Sequence, residues 1–177
     1  MSIIMCGCSF IITGSTEAGK STLCWQVLKN LNQKQVSTCG VITLQNDKKW
    51  FYLITEKTKI PFEAQETEAF IPIGHFRIHK NNLKRAVNSI QAGLDCDFMF
   101  VDEIGLLELQ GGGYYPIINS VLKRKHGNIL VVRESLLDDF FSQYPQAKAY
   151  TIIQVKNREI TSPLTLIKNH INQQFKT

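Results

Sequence analysis

The stretch that decides the fold is residues 12–22, I-T-G-S-T-E-A-G-K-S-T, close to the start of the 177-residue chain. In this stretch Gly14 is followed by four residues and then by Gly19, Lys20 and Ser21. This is the G-x-x-x-x-G-K-S spacing of a phosphate-binding loop. Glycines tolerate positive φ, so the backbone can fold around an anion with its N–H groups turned inward. A helix that begins at the loop adds the positive end of its dipole.

The residues on either side of the loop fit this interpretation. Residues 8–13, C-S-F-I-I-T, are largely apolar and β-branched, which predicts a buried strand. Apolar residues then recur at helical spacing, at Leu23, Cys24, Val27, Leu28 and Leu31. We therefore expect a strand, a loop and a helix, with the nucleotide bound by Gly14, Ser15, Thr16, Glu17, Ala18, Gly19, Lys20, Ser21 and Thr22.

Two loop residues have predicted chemical roles. Lys20 is expected to place its ammonium group between the β- and γ-phosphates and so to take part in catalysis. The hydroxyl group of Ser21 is expected to bind the Mg²⁺ ion that bridges those phosphates.

Composition indicates an ordinary globular protein, with 44% hydrophobic and 20% charged residues. The length suits one α/β domain over residues 1–177. The formal charge of +5 is mild, and the densest basic run, residues 123–126, is interpreted as the end of an amphipathic helix. No stripe of basic and aromatic residues accompanies it, so we do not expect a nucleic-acid partner. Protein partners are left open.

The five cysteines, at positions 6, 8, 24, 39 and 96, are interpreted as small buried hydrophobes in a reducing compartment. The apolar start of the chain resembles a signal peptide, but it lacks a basic segment and carries the strand that leads into the loop. No run approaches the ~20 apolar residues of a membrane span. We therefore expect a cytoplasmic protein that is not bound to a membrane.

The rest of the chain alternates strand and helix patterns, which predicts a mostly parallel central sheet with helices on both faces. Residues 48–62 show aromatic alternation around a charged turn, which predicts an antiparallel hairpin with Pro61 at an edge, within an insertion of about residues 45–70. Further strands are predicted at residues 35–44, 69–78, 97–101, 128–132 and 149–155. Further helices are predicted at residues 81–93 and 114–125, around residues 136–141, and from Ser162-Pro163 onward, with the proline in the first helical position.

Two acidic residues follow the apolar run in residues 98–105, F-M-F-V-D-E-I-G. Ligands of open parallel sheets bind outside the carboxyl ends of the strands, so Asp102 and Glu103 are expected to face the phosphates. Asp102 is predicted to bind Mg²⁺ and Glu103 to polarise a water molecule for attack on the γ-phosphorus. The alternative is that both residues begin a solvated loop. Glu108 is either a supporting carboxylate or a surface charge.

Arg133 also follows a predicted buried strand. It is either a catalytic arginine that neutralises charge on the γ-phosphoryl group or a structural partner of Glu134 or Glu103. Both interpretations are open at the level of sequence.

Several stretches together resemble the small nucleoside-triphosphate phosphohydrolases first described from thermophiles, also called cancer-related nucleoside triphosphatases. The matching stretches are F-I-I-T-G-S-T-E-A-G-K-S-T-L, C-G-V-I-T-L, I-G-H-F-R-I-H-K-N-N-L-K-R-A-V, V-D-E-I-G-L-L-E-L and V-K-N-R-E. The resemblance implies a RecA-like P-loop NTPase fold and slow Mg²⁺-dependent hydrolysis of ATP, GTP and related triphosphates to diphosphate and phosphate. It also implies that Asn157 and Arg158 lie near the base or ribose.

The chain departs from this family pattern in three places. Residues 44–54 lack the usual Arg- and Gly-rich character, residues 111–113 are three glycines, and Arg133-Glu134 stands where the family often has Thr or His. Two other functions are therefore kept open, a nucleotide or nucleoside kinase and a nucleotide-binding accessory or switch protein. The arginines are dispersed along the sequence, which argues against a kinase lid, and no N-K-x-D signature of a guanine-specific switch is present.

Overall fold

Strands and helices alternate along residues 8–175, the part of the chain that this computed structural model describes. The strands are β1 (Ser9–Thr13), β2 (Thr38–Gln45), β3 (Lys49–Leu53), β4 (Thr58–Pro61), β5 (Phe70–Ile73), β6 (Phe76–His79), β7 (Phe98–Ile104), β8 (Gly127–Val132) and β9 (Thr151–Gln154). The helices are α1 (Lys20–Gln33), α2 (Lys80–Ala92), α3 (Leu106–Leu109), α4 (Tyr115–Leu122), α5 (Leu137–Gln143) and α6 (Thr161–Gln174). Among these helices, none is long and apolar enough to cross a membrane.

The main sheet has seven strands in the order β4-β3-β2-β7-β8-β1-β9. Neighbours from β2 to β9 in this order run parallel, while β3 and β4 form an antiparallel hairpin at one edge. Pro61 lies in the outermost strand of that hairpin, where a missing N–H is tolerated. A separate antiparallel pair, β5 and β6, follows the hairpin along the chain. The predicted fold class is confirmed: a mostly parallel sheet with helices on both faces and a small antiparallel hairpin.

Helices cover both faces of the sheet because its central strands are apolar on both sides. One face packs against α1 and α6, and the other packs against α2, α4 and α5. In β7, Phe98 and Phe100 point to the α1 face, while Met99 and Val101 point to the α2 face. This alternation explains why the strand is a continuous apolar run in the sequence.

β7 is longer than predicted, and this changes where the two acids lie. It continues through Ile104, and Asp102 still pairs with Val131 of the parallel strand β8. Asp102 and Glu103 therefore belong to the last part of the strand rather than to a loop after it. The apolar pattern ended at Val101, but backbone pairing does not require apolar side chains, so the pattern placed the end of the strand too early.

The basic run does not end a helix, contrary to the prediction. α4 stops at Leu122, so residues 123–126 lie beyond it. The Arg124 guanidinium folds back and donates hydrogen bonds to the carbonyl groups of Gly93, Leu94 and Cys96, with a distance of 2.6 Å to the last. The sequence pattern missed this role because these partners are about thirty residues away.

Smaller differences occur near the carboxyl end. Pro163 is the third residue of α6 rather than the first. A 3-10 helix, Pro145–Ala149, precedes β9, which therefore begins at Thr151, later than predicted. The short helix α3 was not predicted either.

The cysteine interpretation is wrong for two of the five residues. Cys39 and Cys96 form a disulfide, with their Cα atoms 6.2 Å apart, a usual separation for such a bond. The sequence hides this contact because β2 and β7 are brought side by side only in the sheet. Cys24 is a buried free thiol and Cys8 a partly buried one. Cys6 and the rest of the signal-peptide-like residues 1–7 lie outside the described residues.

Candidate functional site

The loop between β1 and α1 has a backbone that requires glycine at its first position. Gly14 has φ of +150°, and a Cβ atom placed there would lie 2.3 Å from the carbonyl oxygen of Val155. Because Val155 follows the neighbouring strand β9, this close approach fixes the loop against the edge of the sheet. The predicted strand, loop and helix are therefore all present, with α1 beginning at Lys20.

The side chain of Lys20 points back into the loop. Its Nζ atom donates to the carbonyl oxygens of Gly14 at 3.0 Å and Ser15 at 2.7 Å. Only 7% of the residue is exposed. The ammonium group is thus held against the backbone of the loop, at the start of α1.

A second turn packs against the loop. Asn157 and Arg158 both have positive φ, and the N–H of Glu159 donates to the carbonyl of Lys156 at 2.8 Å. Two central residues with positive φ are the mark of a type I′ turn. The Arg158 N–H donates to the carbonyl of Ala18 at 3.0 Å, which fastens this turn to the loop.

The loop and the turn together line an open pocket of about 380 Å³. Its walls are Ser15, Thr16, Glu17, Ala18, Asn157 and Arg158. The structure therefore brings together two groups that are separated by nearly the whole sequence. The acids of β7 and Arg133 do not line this pocket, and Thr22 is exposed on α1.

Asp102 is held rigidly at the carboxyl end of β7 by the neighbouring strand β2. Its Oδ2 atom accepts a hydrogen bond from the N–H of Thr43 at 3.1 Å, and the Thr43 hydroxyl donates to the Asp102 carbonyl at 2.6 Å. Asp102 is only 1% exposed. Thr43 was not predicted as a site residue, although a hydroxyl within the otherwise apolar stretch C-G-V-I-T-L was a usable signal.

The charge of Asp102 is only partly compensated. The pKa of Asp102 is raised to about 7, chiefly by burial and secondly by the charge of Glu103, while Ser21, the Thr43 N–H and Lys20 act to lower it. Its Oδ1 atom has no partner of good hydrogen-bond geometry among the described residues, although the Ser21 hydroxyl is near enough to affect the pKa. A buried carboxylate oxygen without a partner, beside a hydroxyl group, is a donor set that suits a hard cation such as Mg²⁺.

Glu103 and Arg133 form an ion pair at the same edge of the sheet. The Nε and Nη2 atoms of Arg133 donate to Oε1 of Glu103 at 3.1 and 3.0 Å. Glu134, the other candidate partner, instead accepts from Gln154 at 2.6 Å. Because both contacts of Arg133 use Oε1, they leave Oε2 of Glu103 for other ligands.

Glu108 is a buried carboxylate that organises the backbone after Glu103. Its two oxygens accept hydrogen bonds from the N–H groups of Gly105 at 2.8 Å and Tyr114 at 3.2 Å. Only 4% of the residue is exposed, so it is not a surface charge. The pKa of Glu108 is raised to about 7 because the raising effect of burial outweighs the lowering effect of the two N–H groups.

The fold and this site define a class of protein, the P-loop proteins that bind nucleoside triphosphates. The family model described as NTPase matches residues 9–166 of the chain. The chain belongs to this NTPase family, a family of hydrolases, which confirms the resemblance noted in the sequence.

Individual relatives are distant in sequence. The nucleoside-triphosphatase THEP1 of Methanosarcina barkeri (strain Fusaro / DSM 804) is 22% identical over 157 residues, which cover 84% of this chain and 89% of the relative. The nucleoside-triphosphatase THEP1 of Thermococcus kodakarensis (strain ATCC BAA-918 / JCM 12380 / KOD1) is 25% identical over 140 residues, covering 73% and 78%.

Two solved structures share the fold. THEP1 from the hyperthermophile Aquifex aeolicus superposes with a TM-score of 0.66 at 16% identity, over 96% of this chain and 99% of the other. A human cancer-related nucleoside triphosphatase gives 0.69 at 16% identity, over 93% and 97%. The architecture thus extends across proteins whose sequences have diverged widely.

Proposed function

We propose that this protein hydrolyses nucleoside 5′-triphosphates, ATP and GTP among them, to diphosphate and phosphate in a Mg²⁺-dependent reaction. The observation that carries the proposal is the position of Asp102, a buried carboxylate with an unpartnered oxygen, beside Ser21 and within the electrostatic influence of Lys20. This pairing of a phosphate-binding loop with an acid is the arrangement that phosphoryl transfer requires.

In this proposal the loop residues 14–22 bind the phosphates. Lys20 exchanges its contacts with the Gly14 and Ser15 carbonyls for contacts with β- and γ-phosphate oxygens. Ser21 and Asp102 would hold the Mg²⁺ ion. When bound, this ion would neutralise charge on the phosphate oxygens.

Glu103 is the proposed general base. Its Oε2 atom is left free by Arg133, so it can accept a hydrogen bond from a water molecule and then the proton of that water as its oxygen attacks the γ-phosphorus. The bond from the γ-phosphorus to the β–γ bridging oxygen breaks in the same step, and the nucleoside diphosphate leaves with the bridging oxygen. Arg133 orients the carboxylate through Oε1. Arg133 directly follows β8 at the carboxyl edge of the sheet, and we propose that it also neutralises charge that develops on the γ-phosphoryl group.

Asn157 and Arg158 are proposed to contact the base or ribose. Their support is the pocket that they share with residues 15–18. The backbone of the turn is fixed to Ala18, so this wall of the pocket moves together with the loop.

Three broader expectations from the sequence are also proposals. We propose one domain over residues 1–177, with the hairpin as an insertion of about residues 45–70, and no nucleic-acid partner. A cytoplasmic location also stays a prediction. The Cys39–Cys96 disulfide weakens the argument for a cytoplasmic location, because such bonds are rare in reducing compartments.

Phosphate release measured with Mg²⁺ and each of several triphosphates tests the proposal. Glu103→Gln should lower turnover about a hundredfold or more because it removes the base, and it should spare triphosphate binding. Glu134→Gln is the matched control, since Glu134 is an exposed acid that binds Gln154 and should leave turnover unchanged.

Two further results would decide against hydrolysis. Transfer of phosphate only to an added nucleoside or nucleotide would identify a kinase, and tight binding without turnover would identify an accessory protein. Lys20→Ala should weaken triphosphate binding in every case, because the loop then lacks its cation.

A further inference from the structure

Lys49 lies at the same edge of the sheet as the candidate site, although it comes from the hairpin. β2 runs parallel to β7, so the carboxyl ends of both strands lie at one edge. β3 runs antiparallel to β2, and its first residue, Lys49, pairs with Gln45, the last residue of β2. The strand that bears Lys49 is therefore two positions from β7 in the sheet, or roughly 10 Å by strand spacing.

The side chain of Lys49 leaves the sheet on the face opposite to α1. Phe51 and Leu53, two and four residues further along β3, both pack on the α2 face with Val101 of β7. Because side chains alternate along a strand, Lys49 points to that face as well. Lys20 and Ser21 approach the site from α1, so the two lysines flank it from opposite faces.

Lys49 is electrostatically part of the site. Burial lowers its pKa, and among the charges Glu103 has the largest effect, which is to raise it. Arg133 acts to lower the pKa of Lys49, and Glu63 and Asp102 act to raise it.

The ammonium group of Lys49 rests on aromatic rings and has no anionic partner in the described part of the chain. Its Nζ atom lies 3.8 Å from the ring centroid of Phe76 and 5.3 Å from that of Phe62. Within residues 8–175 it makes no ion pair or side-chain hydrogen bond. Arg133, by contrast, is already occupied by Glu103. A half-buried cation held in place but without an anion has its donors ready for an anionic ligand.

We propose that Lys49 binds the terminal phosphate of the nucleoside triphosphate, from the face opposite to Lys20. This inference rests on the proposed function, because it assumes a triphosphate seated on residues 14–22. The terminal phosphate is the group that would lie next to Glu103, the acid that acts most strongly on Lys49. Lys49 would therefore distinguish a triphosphate from a diphosphate, whose last phosphate ends one group short of it.

Calorimetric titration with Mg²⁺ and either ADP or the non-hydrolysable ATP analogue AMPPNP tests this role, with the GDP and GMPPNP pair run alongside. Lys49→Met keeps the unbranched stem and its contacts with the rings but removes the charge. We expect it to raise the Kd of the triphosphate analogue at least tenfold or so, the usual effect of losing a charged hydrogen bond, and the Kd of the diphosphate less than about twofold.

Two other variants keep the test decisive. Lys48→Met removes a neighbouring exposed charge and should leave the ratio of the two Kd values unchanged. Lys49→Arg keeps the charge and should hold the ratio within about threefold of the wild type. If Lys49→Met folds with an unchanged melting temperature and keeps the wild-type ratio, the inference is overturned. If Lys49→Met does not fold, Phe76→Leu, which removes the ring beneath the ammonium group, should lower the preference for the triphosphate, and an unchanged ratio in that variant overturns the inference.

Failure of this inference can be told apart from failure of the proposed function. If the wild type releases phosphate and the Lys49→Met variant keeps the preference for triphosphate, only the role of Lys49 is contradicted. If the wild type releases no phosphate but the Lys49→Met variant still loses the preference for triphosphate over diphosphate, only hydrolysis is contradicted. A wild-type protein that binds neither nucleotide overturns both.

Discussion

The Glu108 carboxylate lies so close to Gly113 that a side chain at position 113 would overlap with it. Gly113 has φ of +52°, and a Cβ atom there would lie 1.9 Å from Oε1 of Glu108. The same carboxylate holds the N–H groups of Gly105 and Tyr114, so it cannot move away without breaking those hydrogen bonds. The glycine-rich segment of residues 111–113 therefore contains one position, 113, at which the buried carboxylate requires glycine.

Gly113→Ala is expected to destabilise the protein by about 2–4 kcal/mol, because it adds both a steric overlap and the cost of a positive φ. Gly111→Ala is the matched control: Gly111 has φ of +88° but no atom within 4 Å of its added Cβ. It should cost only about 1 kcal/mol. Urea unfolding measures both, and equal losses in the two variants would show that Glu108 does not constrain position 113.

The raised pKa of Glu108 predicts a pH-dependent contribution to stability. The folded protein holds this proton more tightly than the unfolded chain does, since the pKa rises from 4.5 to about 7. The contribution is complete below pH 4.5 and is lost as the pH rises through 7. Glu108→Gln lacks this slope, so its cost relative to the wild type should shrink between pH 5 and 7, by at most about 1.4 kcal/mol per pH unit.

Urea unfolding at pH 5, 6 and 7 measures that difference. Glu134→Gln, at an exposed acid, should show a constant difference from the wild type over the same range. A constant difference for Glu108→Gln as well would mean that Glu108 is ionised throughout, contrary to its burial.

At the scale of elements, the end of α4 is tied to the turn between α2 and β7 through one side chain. Arg124 follows the helix and binds three carbonyl groups of that turn, those of Gly93, Leu94 and Cys96. The guanidinium group of Arg124 thus supplies hydrogen-bond donors to turn carbonyl groups.

Arg124→Met should destabilise the protein by about 2–4 kcal/mol, because it leaves carbonyl groups without their charged donor. Lys123→Met, at the exposed neighbouring position, should change stability by less than about 0.5 kcal/mol. Urea unfolding measures both values. Similar losses of stability in the two variants would show that the hydrogen bonds of Arg124 do not stabilise the protein.

The sequence patterns predicted which strands and helices form better than they predicted where these elements end. The apolar alternation predicted β1, β2, β7 and β8 and the helices between them, because burial on two faces imposes that pattern directly. It placed the end of β7 at Val101 and missed α3, since neither the last pairs of a strand nor a one-turn helix depends on hydrophobic spacing.

At the scale of the whole molecule, the candidate site and the disulfide lie toward opposite edges of the parallel sheet. The carboxyl edge carries the loop, the acids and both flanking lysines. The disulfide lies toward the opposite edge, because Cys39 is near the start of β2 and Cys96 precedes the start of β7. The bond therefore joins the strands that bear Thr43 and Asp102 at their far ends.

Reduction of this disulfide should lower the melting temperature by roughly 10 °C. The bond closes a loop with a sequence separation of 57 residues, and loops of that length stabilise by up to about 4 kcal/mol. The Cys39→Ser/Cys96→Ser double variant should show no further change with a reductant. Alkylation of the unreduced, denatured protein followed by mass spectrometry should label Cys8 and Cys24 but neither Cys39 nor Cys96, and labelling of Cys39 and Cys96 would disprove the bond.

The sequence by itself determined the glycine-rich loop between β1 and α1, the order of the strands and longer helices of the main sheet, and the two acids at the end of a buried strand. These features depend on residues close together in the chain, where spacing alone limits what the backbone can do. The tertiary structure decided which partners those residues have: Thr43 for Asp102, Arg133 for Glu103, and the turn of Asn157 and Arg158 for the loop. Each of these contacts joins residues thirty or more positions apart, and such proximity is set by the packing of the sheet and not by any local pattern.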